Sequence, residues 1–80
     1  MIDAIEELDA TGLICPLPVL KLRRRMRFLA DGNILKLLTD DPAALVDVPH
    51  YCTESGNKLL KQEVIDNIQI FFVQKIAAPK

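Results

Sequence analysis

The chain is predicted to fold as an α/β (α+β) two-layer sandwich of element order βαβαββ, with two helices on one face of a mixed four-stranded sheet. Three observations predict this. Val19, Leu22, Met26 and Leu29 recur at helical spacing and form one apolar stripe. A short strand candidate, Ile5 to Asp9, and a mostly apolar run of strand length, Ile34 to Thr39, lie on either side of that stripe. Two more strand-like runs follow after Gly56, separated by a tight Asp66-Asn67 turn. With 80 residues, a single domain over 1–80 is expected.

The first strand is short and interrupted by Glu6 and Glu7. It leads into Thr11-Gly12-Leu13-Ile14-Cys15-Pro16-Leu17-Pro18, where two prolines rule out a strand interior. Proline is tolerated in the first helical turn, because the N–H it lacks has no intrahelical partner there. The first helix is therefore placed to start at Cys15 or just after it. Lys21, Arg23, Arg24, Arg25 and Arg27 take the arc opposite the apolar stripe, and Asp31-Gly32-Asn33 is a stop signal.

Ile34-Leu35-Lys36-Leu37-Leu38-Thr39 reads as the second strand. Asp40-Asp41-Pro42 reads as an N-cap followed by proline at the first helical position. Pro49 predicts a kink or restart near Val48-Pro49, and Gly56 a C-cap. Lys58 to Asp66 and Ile68 to Ile76 are the last two strands. In the final one, Ile68, Ile70, Phe72 and Ile76 share one side, and Gln69, Phe71, Val73 and Lys75 the other. Two helices leave one sheet face without a cover from this chain. Alternation puts residues such as Ile34 and Leu38, or Phe71 and Val73, on that face, as a modest exposed patch or as a surface that something else covers.

Composition excludes several function classes. The chain is 50% hydrophobic and 26% charged, which excludes disorder and low complexity. Ten Lys+Arg against eleven Asp+Glu give a formal charge of −1, so no bulk positive field marks a nucleic-acid binder. No apolar run approaches the ~20 residues of a membrane span. Met1-Ile2-Asp3-Ala4-Ile5-Glu6-Glu7 lacks the basic and apolar regions of a signal peptide. Two cysteines are also fewer than secreted disulfide frameworks use. A cytoplasmic protein with free thiols is the expectation.

The informative chemistry is Cys15-Pro16-Leu17-Pro18. The thiolate is the nucleophilic form of cysteine, whose ordinary pKa is about 8.5. Helix N-termini favour an anion through unpaired N–H groups and the macrodipole, and lower such a pKa to ~3.5–7.5. Lys21 and Arg24 would add a positive field, weakened by salt. On the chain alone two readings of Cys15 stand: an activated nucleophile at a loop–helix junction, or a small buried hydrophobe. The motif is not Cys-x-x-Cys, so no resolving thiol lies one turn away and a dithiol oxidoreductase is disfavoured. A lone activated thiolate suits chemistry in which one sulfur is picked up and handed on.

Leu8-Asp9-Ala10-Thr11-Gly12-Leu13-Ile14-Cys15-Pro16-Leu17-Pro18-Val19 resembles the signature of the TusA-type (SirA-like) sulfur-carrier family. The resemblance continues through Asp40-Asp41-Pro42-Ala43 and Asp47-Val48-Pro49-His50-Tyr51-Cys52, and covers nearly the whole chain. It implies the βαβαββ sandwich and a cytoplasmic sulfur relay. In such a relay Cys15 accepts sulfane sulfur from a cysteine desulfurase or a rhodanese-like donor. It then passes the sulfur to a downstream acceptor protein, in tRNA 2-thiouridine formation, molybdenum-cofactor maturation or sulfur oxidation. Leu17 stands where many relatives are polar and His50 where others carry glycine, departures that bear on partner choice.

On this reading Cys15 is the acceptor and donor nucleophile, and Gly12, Pro16 and Pro18 shape the helix start. Lys21, Arg24 and Arg25 dock protein partners. No metal or organic cofactor is expected, nor direct nucleic-acid binding. Cys52 is a core residue beside Tyr51, or else a secondary thiol able to pair with Cys15. Asp40-Asp41 is an N-cap with dipole complement, not a metal or acid/base site, since no ligand spacing accompanies it. His50 is taken as a loop or helix-surface residue. The alternative function is a non-catalytic regulatory module that holds RNA or an acidic protein through the basic first helix.

Overall fold

The computed structural model describes residues 3–76. The elements are β1 (Glu6–Asp9), α1 (Leu17–Met26), β2 (Ile34–Thr39), α2 (Ala44–Ser55), β3 (Lys58–Ile65) and β4 (Ile68–Gln74). The sheet order is β1-β2-β4-β3, with β1 and β2 parallel and β4 antiparallel to both its neighbours. This is the expected mixed sheet, with α1 as the crossover between its two adjacent parallel strands. Asp66 and Asn67 both take positive φ, 51° and 66°, in the two-residue turn that joins β3 to β4. Asp and Asn tolerate that region, and its twist matches a hairpin.

The core lies between the helices and one sheet face. Leu22 and Met26 of α1, and Val48, Tyr51 and Cys52 of α2, are buried with Leu35, Leu37, Phe71 and Val73 of the two central strands. Val19 on α1 and Leu29, in the turn after α1, pack against them as partly buried neighbours. The register Leu35↔Val73, Leu37↔Phe71 and Thr39↔Gln69 puts these pairs under the helices. The assignment of Phe71 and Val73 to the uncovered face is therefore corrected: they belong to the covered one. Ile34 and Leu38 do lie on the open face, as expected, and share it with Ile70 and Phe72, all half-buried.

The helices refine the sequence reading in three places. α1 starts at Leu17, with Pro16 at the N-cap position after a cis Cys15–Pro16 peptide, so Cys15 lies outside the helix. α2 starts at Ala44 and not at Pro42. Asp41 accepts from the Ala43 N–H at 3.1 Å through Oδ1 and so shapes a turn ahead of the helix, with Ala43 at the cap position. Finally, α2 runs through Pro49 without a restart. Val48 before it and Tyr51 and Cys52 after it are all buried, and this packing outweighs the one backbone bond that proline removes. Gly56 ends the helix in the left-handed conformation, φ 81°, its N–H donating to the Cys52 carbonyl.

One buried polar contact ties the sheet to the segment ahead of α2. With its amide nitrogen facing its acceptors, Gln69 donates to the Asp41 carbonyl at 3.0 Å and to the Thr39 carbonyl at 3.3 Å. Gln69 and Thr39 are both buried, so these bonds satisfy groups that would otherwise destabilise the core.

Candidate functional site

The loop between β1 and α1 is held by carboxylates. Asp9 accepts from the Thr11 N–H and hydroxyl at 2.9 and 2.6 Å, which closes a local turn and lowers the Asp9 pKa. Asp40 accepts from the Gly12 N–H at 2.9 Å, and Asp41 Oδ2 from the Cys15 N–H at 2.6 Å. Gly12 sits at φ +81° with open space around a would-be Cβ, so the position demands a backbone conformation and not a close approach. The Asp40-Asp41 pair thus fastens the Cys15 loop, which corrects its reading as the cap of α2.

Cys15 is exposed and Cys52 is buried, and both are free thiols. Burial pushes the Cys52 thiol up to about 11. Cys15 opens onto a depression of about 250 Å³ between α1 and α2. Pro16, Leu20 and Arg23 line one side of it, and Asp47, His50 and Glu54 the other. The Cys15 thiol donates to Asp47 Oδ2 at 2.9 Å. His50 Nε2 lies 3.2 Å from Glu54 Oε1, and the Arg23 guanidinium stands 5.5 Å from the centre of the Tyr51 ring.

These neighbours reverse the expected electrostatics. The hydrogen bond to Asp47 raises the Cys15 pKa, and desolvation and the charges of Asp47 and Asp41 push the same way. The helix N-terminus does not offset this. Cys15 precedes the helix, its own N–H is given to Asp41, and the Leu17 N–H is given to the Ile14 carbonyl. The sulfur is accessible, and its surroundings favour the thiol over the thiolate.

The basic residues divide by direction. Lys21 Nζ reaches the Asp9 carbonyl at 3.4 Å, and Arg25 pairs with Glu6 at 2.8 Å, so both turn toward β1. Among the described residues Arg24 has no ion-pair partner; with Leu17, Leu20 and Arg27 it lines a second groove along α1. Arg23, and neither Lys21 nor Arg24, shares the depression with Cys15.

Sequence reasoning did not place Arg23, Asp47, His50 or Glu54 beside Cys15. Asp47, His50 and Glu54 do recur at helical spacing, which marks one polar face of α2. Among the described residues no group of three or more His, Cys, Asp or Glu is placed to hold a metal ion. None of the described helices is long and apolar enough to cross a membrane.

The family model for sulfurtransferase TusA matches residues 6–75, which take in the whole sheet, both helices and Cys15. The chain belongs to the TusA sulfurtransferase family. A sulfur carrier protein TusA from Pseudomonas paraeruginosa is 40% identical over 76 residues, covering 95% of this chain and 94% of the relative. One from Pseudomonas entomophila is 39% identical over 79 residues, covering 96% and 99%. A solved SirA-like protein from Desulfitobacterium hafniense superposes with a TM-score of 0.74 at 20% identity, over 89% of this chain and 99% of that one. That likeness shows that the two proteins share the fold. The TusA match spans β1 to β4, so it encompasses the loop, the depression and the buried Cys52 alike.

Proposed function

We propose that this chain is a sulfur carrier, a single domain over 1–80 that accepts sulfane sulfur as a persulfide on Cys15 and relays it to an acceptor protein. Membership of the TusA family supports this, together with the one exposed thiol of the two. The accompanying expectations are a cysteine desulfurase or rhodanese-like donor, a downstream acceptor and a cytoplasmic setting.

Sulfur transfer is a displacement at sulfur. The Cys15 sulfur, as it loses its proton, attacks the terminal sulfur of a partner's persulfide; that partner's S–S bond breaks and its thiolate leaves. Delivery repeats the step, with the acceptor attacking the terminal sulfur on Cys15. The proposed roles of Gly12, Pro16 and Pro18 are to hold the loop and helix start so that the sulfur faces outward. Arg24, with Leu17 and Leu20 beside it, is proposed to meet the partner. Lys21 lines the same groove while reaching the Asp9 carbonyl, whereas Arg25 acts there only if it leaves Glu6. The test is Cys15→Ser, which abolishes sulfur loading and leaves the circular dichroism spectrum and Tm unchanged. Loading retained in that variant refutes the proposal.

A second reading keeps the exposed face of α1 as an RNA- or acidic-protein-binding surface without sulfur chemistry. The outward-facing Arg24 and Arg27 favour it. It predicts that Arg24→Glu abolishes function and Cys15→Ser does not.

A further inference from the structure

A carrier has to release its cargo as readily as it takes it up, and this depression holds a device that biases that balance. Resting on the sulfur-carrier reading, we infer that Asp47 sets the loading equilibrium at Cys15, by favouring the empty thiol over the persulfide anion. The contact is direct: Cys15 Sγ and Asp47 Oδ2 are 2.9 Å apart, and the thiol supplies the proton between them. Asp47 is fixed in the first turns of α2, whose core face is anchored by Ala44, Val48 and Cys52.

Loading changes both partners of that contact. In the exchange, a donor persulfide anion, R–S–S⁻, meets the Cys15 thiol. The donor's S–S bond breaks and a new S–S bond forms on Cys15. The Cys15 proton ends on the donor sulfur as R–SH, and the product is the Cys15 persulfide anion. Sulfur oxidation levels and the total charge of −1 are the same on both sides. A persulfide is a stronger acid than the thiol it forms from, so the product stays ionised near neutral pH. The proton that bound Cys15 to Asp47 is then gone, and a negative charge has been brought within a few ångströms of a carboxylate.

The other charged groups around the sulfur do not cancel this. Asp41, on the segment before α2, holds the Cys15 N–H and adds a second negative charge. On α2, Glu54 adds a further carboxylate to the depression, with His50 Nε2 3.2 Å from its Oε1. From α1, the Arg23 guanidinium is stacked over Tyr51. The carboxylate of Asp47 is the charge that touches the sulfur. The raised pKa of the thiol reports the same preference, for the neutral form over the anion. A pocket that disfavours the loaded anion passes sulfur onward to any acceptor site that tolerates it better, which suits an intermediate in a relay.

The test is an exchange equilibrium between this protein and glutathione persulfide plus glutathione, with the loaded fraction read by intact mass. At pH 7.5 (about neutral) and low ionic strength, Asp47→Asn is expected to raise the loading constant roughly three- to tenfold over wild type. The gap narrows as salt screens the repulsion. It also closes at acidic pH, where the persulfide becomes neutral, and a purely structural effect of the substitution would follow neither dependence. Asp47→Glu returns the constant toward wild type, and Asp47→Ser repeats the rise if Asn distorts the helix. Equal loading of wild type and both neutral variants at every pH, or weaker loading of the variants, overturns the inference while leaving the carrier reading intact. Failure of wild type to take up sulfur at all removes the carrier reading, and this inference with it.

Discussion

The N–H of Cys15 donates to Oδ2 of Asp41 at 2.6 Å, a bond that spans 26 residues and fastens the thiol-bearing loop to the segment leading into α2. Asp41 is held in turn by its own bond to the Ala43 N–H and by Gln69 at its carbonyl. The position of the reactive sulfur is therefore referred back to the buried end of β4. Hydrogen bonds to charged groups contribute about 1.5–3 kcal/mol. Asp41→Ala is expected to lower stability by roughly that amount, and to slow sulfur uptake by freeing the loop. Urea unfolding and single-turnover loading check this; no change in either would contradict it.

The alkylation profile of Cys15 should sit high. Because Asp47 and Asp41 favour the thiol, the rate of modification by iodoacetamide rises only above the pH at which an unperturbed cysteine peptide reacts. Asp47→Asn moves the midpoint down. Stopped-flow alkylation in a Cys52→Ala background measures it, and a midpoint below that of the free peptide would contradict the electrostatics described.

Cys52 makes alkaline stability pH-dependent. Its thiol keeps its proton up to about 11 in the folded chain, well above the ordinary cysteine value. The unfolded chain therefore loses this proton first, and the folded state binds more protons throughout that window. The contribution is fully present below about pH 9 and declines as pH rises toward 11. Cys52→Ala should flatten that part of the decline in urea midpoints. An identical alkaline slope in wild type and variant would contradict it.

Phe71 and Phe72 are neighbours in β4 on opposite sheet faces. Phe71 is fully buried beneath the helices, whereas Phe72 is half-buried on the open face with Lys36 about 5.9 Å from its ring centre. Phe71→Ala should cost about 3–5 kcal/mol, enough to unfold much of a protein of ordinary stability. Phe72→Ala should cost well under half of that. Thermal unfolding ranks the two, and the reverse order would contradict the register.

Much of this architecture is legible in the chain because its signals are local. Val19, Leu22 and Met26 predict the core-facing stripe of α1, while Leu29 packs on the core from the turn after it, and Asp66-Asn67 predicts the hairpin turn. Pro49 misleads because the breaker rule weighs one lost backbone bond, while the buried residues on both sides of it hold α2 together. The assignment of Phe71 to the open face fails for a related reason. Alternation separates the two sides of a strand but does not say which side the helices cover. The partners of Cys15 are less legible still. Asp41 and Asp47 lie 26 and 32 residues away along the chain, and only the packing of α2 beside the start of α1 brings them to it. Reading Cys15 against its sequence neighbours suggests a positive helix end and a lowered pKa, whereas the folded chain surrounds the thiol with carboxylates.

The most direct test of the carrier account is peptide mass spectrometry of the wild-type protein after incubation with a cysteine desulfurase and cysteine. The account predicts a gain of one sulfur on the Cys15 peptide, removed by reductant, and none on the Cys52 peptide. Sulfur found on Cys52 alone, or on neither thiol, would contradict it.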